Sequence, residues 1–249
     1  MRSIALGAKN KIAPYGIPDL ALQLGLLLLC YLGYQMVRGI ADHSVANAFW
    51  HTGQIINLEQ SLGVFVEPDI QSWARGQDVI ISLANWMYLN SHYLVSGGAI
   101  LWVYHRHRDR FSQVRNSFLC AMLLALLGYL LFPAAPPRLM PEWGFYDSVA
   151  QATGVDASSQ SGSALINMYA AVPSMHFGFA LLVGGWMYKL SKHQTVRYLW
   201  TLYPLLVLWV VIATANHFLF DALVGGLVAV TSAWLSAMLE RQRTRSSTS

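Results

Sequence analysis

Six stretches of the chain, near residues 17–37, 79–104, 115–133, 172–190, 196–215 and 217–239, stay apolar for about the 20 residues a helix needs to cross a bilayer. Such runs leave few structural options. In lipid every backbone N–H and C=O has to be paired internally, which a helix achieves and an open strand does not. The composition agrees: 55% of residues are hydrophobic and 11% charged, against about 25% charged in a typical soluble domain. The expected fold class is all-α, a polytopic membrane protein built as a six-transmembrane-helix bundle. A single integral membrane domain over 1–249 is the simplest organisation, with 240–249 as a flexible tail. The first run is too long for a signal-peptide core and no small-residue cleavage site follows it, so it reads as a retained anchor.

The basic residues set the orientation. Thirteen of them fall on one side of the six runs: Arg2, Lys9 and Lys11; Arg106, Arg108, Arg110 and Arg115; Lys189, Lys192 and Arg197; Arg241, Arg243 and Arg245. Arg38, Arg75 and Arg138 fall on the other. Both termini are therefore expected in the cytoplasm, with loops 38–78 and 134–171 facing outward. The net charge of +4 is scattered over short loops and forms no patch for nucleic acid. Cys30 and Cys120 lie in apolar runs without framework spacing; they read as small buried hydrophobes and leave the redox compartment undetermined.

The first outer loop carries its own pattern. Ile55, Leu58, Leu62 and Phe65 recur at helical spacing and Pro68 is expected to end the pattern. This predicts an amphipathic extracytoplasmic helical segment, apolar face down, either a lid on the bundle or a gate for lipid. The second outer loop begins with the proline-rich FPAAPPRLMPEWG and continues with TGVDASSQSGS, a Gly/Ser-rich stretch expected to be mobile.

Polar groups inside spans are costly and point to function. His176 lies about four residues, roughly 6 Å, inside the outer end of the fourth run. His217 opens the sixth, and Asp221 follows four residues later, one helical turn away. A carboxylate there can accept the imidazole Nδ1–H, fix the tautomer and leave Nε2 free. Arg138 sits just past the third run. The fourth and sixth runs start on the outer side, so their unpaired N–H groups face outward and favour an anion such as phosphate. Pro173 suits a first-turn position, and Ser174 adds a hydroxyl. Each residue has a plainer reading as well. His176 could be a packing residue, Arg138 a loop anchor, and the His217–Asp221 pair a helix-packing bond. A metal site is not favoured, because no third carboxylate, Cys or H-E-x-x-H accompanies the pair. Asn216 is either a phosphate or His217 contact or a helix N-cap. His92, near mid-depth in the second run, either bonds a neighbouring helix or lines the substrate cavity, where Tyr169 is a further candidate. His105, His107 and His193 read as solvated, while His43 and His51 carry no specific signal.

The ordered segments FPAAPPR, PSMH and NHFLFD resemble the three motifs of the type 2 phosphatidic acid phosphatase superfamily, and most closely its bacterial branch related to inositol phosphorylceramide synthases. The resemblance covers about 131–230. It implies a membrane enzyme that acts on a lipid phosphate ester at the outer face of the plasma membrane, here a bacterial inner membrane, with no cofactor and no metal. By matching position, His217 is the nucleophile, Asp221 orients it, and His176 protonates the leaving alkoxide. Arg138, Ser174, Met175 through its backbone amide, and Asn216 contact the phosphate.

Two positions depart from that pattern. Leu131 stands where the phosphatases have a Lys, and Val211 where they have an Arg. Fewer cations hold a doubly charged phosphomonoester less well, which leans toward a phosphodiester or toward transfer of the phosphoryl group to an alcohol or lipid acceptor. Hydrolysis and headgroup transfer both remain open, as does a non-catalytic protein that binds or carries anionic lipid. Nothing in the sequence fixes the oligomeric state.

Overall fold

The computed structural model describes residues 15–40, 45–154 and 169–246. Their helices are α1 (Ile17–Ile40), α2 (Val45–Ser61), α3 (Glu67–Arg75), α4 (Asp78–Arg106), α5 (Arg108–Leu131), α6 (Ser148–Thr153), α7 (Met175–Leu190), α8 (Gln194–Ala213) and α9 (Leu219–Ser246), with two 3-10 turns at Pro137–Leu139 and Pro141–Trp143. No β-strand occurs among the described residues. One isolated parallel bridge joins Ala134 to Ala170.

A helix stands at each of the six apolar runs. Three are long and apolar enough to cross a membrane: Arg108–Leu131, Gln194–Ala213 and Leu219–Arg243. The remaining three are shorter or more polar over their described residues. Helix α1 runs over 24 residues, with an apolar stretch at Ile17–Gly33 among its described side chains. The first half of α4 is diluted by Asn85, Asn90, Ser91 and His92. Helix α7 has 16 residues, because the chain before Met175 runs extended rather than helical. The flanks are apolar: Leu223, Leu227, Val230 and Trp234 on α9 are all exposed, as suits a lipid-facing surface.

Helix α7 is the central element, packed against α4, α5, α8 and α9, while α9 also lies along α5. Phe118, Met175, Phe179 and Trp186 contribute to the core between them. Backbones touch at two glycines. A Cβ on Gly225 of α9 would stand 2.2 Å from the Ser174 carbonyl oxygen, and one on Gly178 would stand 2.9 Å from the Gly225 carbonyl oxygen. At the opposite end of the bundle, Asp19 ties α1 to α5 through Arg108 at 2.6 Å and to α4 through the Tyr104 hydroxyl at 2.9 Å.

The outer segment departs from its predicted pattern. Helix α2 buries Ala48, Thr52, Ile55, Ile56 and Glu59, whereas Leu58 and Leu62 are exposed. The buried stripe is therefore rotated from the one expected, because it includes a carboxylate with a structural use described below. Pro68 does not end a helix; it lies in the first turn of α3, where its missing N–H costs nothing. Cys30 is exposed on α1 rather than buried. Most of the TGVDASSQSGS stretch, and His43, lie outside the described residues.

Candidate active site

The three motifs meet through main-chain bonds. Ala134 N–H donates to the Tyr169 carbonyl at 2.9 Å and Ala171 N–H to the Ala134 carbonyl at 3.1 Å, joining the first motif to the second. Arg138 N–H donates to the Ala215 carbonyl at 2.8 Å, joining the first to the third. Ser174 N–H donates to the Asp221 carbonyl at 2.9 Å, joining the second to the third.

After α8 the chain reverses in a tight turn. Ala215, fully buried, has a φ of 51°, a left-handed conformation uncommon for a residue with a Cβ. The turn delivers His217 ahead of α9, not within it, since the helix begins at Leu219. The His217–Asp221 pair thus differs in geometry from two residues stacked on one helical face. Asp221 lies in the first helical turn and reaches back, its Oδ2 accepting the Phe218 N–H at 2.9 Å, in the manner of a capping box. The same oxygen lies 3.4 Å from His217 Nδ1. Asp221 is fully buried and His217 is 5% exposed.

His176, in the first turn of α7, brings its ring to 5.9 Å from that of His217. It is half-buried, so of the three candidate catalytic side chains it is the one with appreciable open surface. Two residues of α4 support it: Tyr88 stacks on the ring at 4.3 Å, and His92 tilts against it at 4.8 Å. His92 thus packs against α7, its ring also stacking on Phe179 at 5.1 Å. Tyr88 carried no signal in the sequence. The Tyr169 ring meets Phe49 of α2 at 6.0 Å.

Arg138 is held on two sides. Its Nε lies 3.3 Å from Asp147 Oδ2, and its guanidinium donates to the Asn216 side-chain oxygen. The other Asp147 oxygen caps α6 by accepting the Ala150 N–H at 2.8 Å. Asn216 donates in turn to Thr214, through its carbonyl at 3.1 Å and its hydroxyl at 2.9 Å. Asn216 is therefore not the N-cap of α9; it links Arg138 to the turn that presents His217.

The two helix starts that sequence reading treated alike are different. Ser174 stands at the N-cap of α7 without a side-chain bond to the helix, and its buried hydroxyl has no partner among the described residues. Pro173 precedes that cap rather than occupying the first turn; its ring packs where a side chain on Gly128 of α5 would fall, 2.6 Å from a Cβ there. At α9 the amides are taken. Besides Phe218, Leu219 N–H donates to Glu67 Oε1 at 2.8 Å and Phe220 N–H to Glu59 Oε1 at 2.7 Å. An anion binding by backbone amides is therefore favoured at α7 and not at α9. Glu59 and Glu67 were also missed in the sequence. The available signal was a glutamate on the Ile55/Ile56 side of α2, a charged residue at a core-facing position.

Among the described residues, no group of three or more His, Cys, Asp or Glu side chains could hold a metal ion. No curated protein and no solved structure matches the chain. A family model described as the PAP2 superfamily matches residues 53–235, a span that contains all three motifs.

Proposed function

Because this chain belongs to the PAP2 superfamily, we propose that it is a membrane-embedded lipid phosphatase or phosphotransferase that works through a phosphohistidine on His217. The observation that carries this reading is the ordered trio: Asp221 Oδ2 at 3.4 Å from His217 Nδ1, and the His176 ring at 5.9 Å from that of His217. With Nδ1 facing the carboxylate, Nε2 is the atom that attacks phosphorus in this scheme. As the His217–phosphorus bond forms, the bond to the leaving alkoxide breaks, and His176 gives that oxygen its proton. Water or an acceptor alcohol then attacks the phosphohistidine, loses its proton to His176 and frees His217. Arg138, Ser174 and the amide of Met175 would hold the non-bridging oxygens as charge develops. Asn216 keeps Arg138 in register with the turn.

The membrane arrangement that fits this scheme has six spans, both termini cytoplasmic and the site near the outer face of the plasma membrane. The sidedness of the thirteen basic residues supports it. A second reading, headgroup transfer like that of inositol phosphorylceramide synthases as the sole activity, is favoured by Leu131 and Val211 at positions where the phosphatases place cations. Mass spectrometry of products from a labelled phospholipid, with and without an inositol-like or lipid alcohol, decides between them. Free phosphate indicates hydrolysis; a phosphorylated acceptor indicates transfer. Absence of both products, with His217→Ala indistinguishable from the parent, overturns the enzymatic reading. Membrane-impermeant labelling of a cysteine placed at Ser161 tests the outward orientation.

A further inference from the structure

We propose that Glu59 and Glu67 are positioning residues for the nucleophile: a carboxyl pair sharing one proton that clamps the start of α9 and so holds His217 and Asp221 against His176. This rests on the assignment of His217 as nucleophile. Three consecutive amides, of Phe218, Leu219 and Phe220, donate to three different carboxyl groups, of Asp221, Glu67 and Glu59. The two glutamates come from the last turn of α2 and the first turn of α3, so the outer helices are fastened to the segment that bears the nucleophile.

Both side chains are buried, Glu59 at 2% and Glu67 at 0% exposure. Each spends Oε1 on a backbone amide and leaves Oε2 without a partner among the described residues. Two buried carboxylates side by side would repel, and each orphaned oxygen would be costly. One proton removes both penalties: a protonated glutamate becomes a donor to its neighbouring carboxylate, and Glu67 is the side-chain neighbour of Glu59. Helix polarity places that proton. Glu59 sits at the negative end of α2, which disfavours its charge. Burial pushes the Glu59 carboxyl up to about 8; the Phe220 amide opposes this, and the carboxylates of Glu67 and Asp221 add to it.

The surrounding elements carry few other charges. They are His51 on α2, His217 at the start of α9, Asp69 and Arg75 on α3, and Arg138, Glu142 and Asp147 in the loop after α5, while the last half of α8, residues 204–213, has none. Above the raised value the pair becomes a dianion and the clamp loosens. Below it the clamp is closed.

The test measures kcat, KM and melting temperature across pH for the parent, Glu59→Gln and Glu59→Ala in detergent micelles of phosphatidic acid. A glutamine at 59 keeps the acceptor for Phe220 and permanently supplies the donor to Glu67. Beyond the alkaline loss that both share through the proposed general acid, the parent should lose kcat with a midpoint near pH 8 at nearly constant KM, and Glu59→Gln should lack this additional fall. Glu59→Ala should lose about tenfold or more in kcat at every pH, as expected for a misplaced nucleophile. If Glu59→Gln follows the parental alkaline limb, or folded Glu59→Ala keeps the parental kcat, the clamp is refuted. Should Glu59→Ala not fold, the comparison of parent with Glu59→Gln decides alone. Melting keeps this independent of the proposed activity. The unfolded carboxyl ionises near 4.5 and the folded one near 8, so parental stability should decline as pH rises between these values and then level off. Glu59→Gln should lack that decline. A parent that turns over no lipid, yet shows this difference in melting, refutes the catalytic reading and retains the clamp; equal melting profiles refute the clamp.

Discussion

The ring of Tyr88 lies on the ring of His176 with centroids 4.3 Å apart and planes 22° from parallel. A general acid must keep its proton aimed at one departing oxygen, and a stacked neighbour restrains the imidazole without taking its nitrogens. Tyr88→Ala should therefore lower kcat by about tenfold or more with KM little changed, while Tyr88→Phe, which keeps the ring, should stay within about twofold of the parent. Steady-state kinetics on one lipid substrate check this. Equal losses in both variants would mean that the hydroxyl, not the stacking, matters.

Asp221 serves both the backbone and the histidine. Asp221→Asn keeps an oxygen for the Phe218 amide but removes the charge beside His217. It should fold with a near-parental melting temperature and lose about 10²–10⁴ in kcat. Asp221→Ala should in addition lose about 1–3 kcal/mol of stability, because the buried Phe218 N–H is left unpaired. Melting and kinetics on the same preparations separate the two effects.

Arg138 holds Asp147 through Nε and Asn216 through a terminal nitrogen at once. Lysine offers a single point charge and cannot keep both partners while meeting a phosphate. Arg138→Lys should lose about tenfold or more in kcat/KM, and Asp147→Asn, which removes only the ionic partner, should lose less. A lysine variant with parental kcat/KM would show that one charge suffices.

The crossing of α7 and α9 depends on absent side chains. Gly225→Ala sets a methyl against the Ser174 carbonyl and should cost about 1–3 kcal/mol, together with activity, since Ser174 is displaced. Gly185, with nothing within 4 Å of a Cβ, is the control: Gly185→Ala should be neutral to within about 0.5 kcal/mol. Thermal melting in micelles checks both.

The parts of this arrangement legible in the sequence were those encoded locally. Apolar runs announced the helices, and the spacing of His217 and Asp221 announced the pair even though its register is a cap rather than a helical face. Ser174, His176 and Arg138 were likewise singled out from short segments. What escaped was encoded across the chain. Glu67 meets Leu219 over 152 positions and Glu59 meets Phe220 over 161, and no local pattern marks such partners. Tyr88 was hidden for the opposite reason, since one tyrosine in an aromatic-rich apolar helix looks like any other. The α2 stripe differs from the predicted one because Leu58 and Leu62, although apolar, are exposed. In a membrane protein an apolar side chain can face lipid as readily as core.

The links among the three motifs at Ala134, Ala170, Ala171 and Ala215 involve backbone atoms only. They carry no charge and no rotamer, so neither pH nor side-chain motion can uncouple them. The three segments are thereby tied into one unit, like a single jaw: a displacement of Arg138 is passed to the turn bearing His217 and to the extended chain leading to Ser174. On the proposed mechanism, binding the phosphate and aligning His217 are one mechanical event.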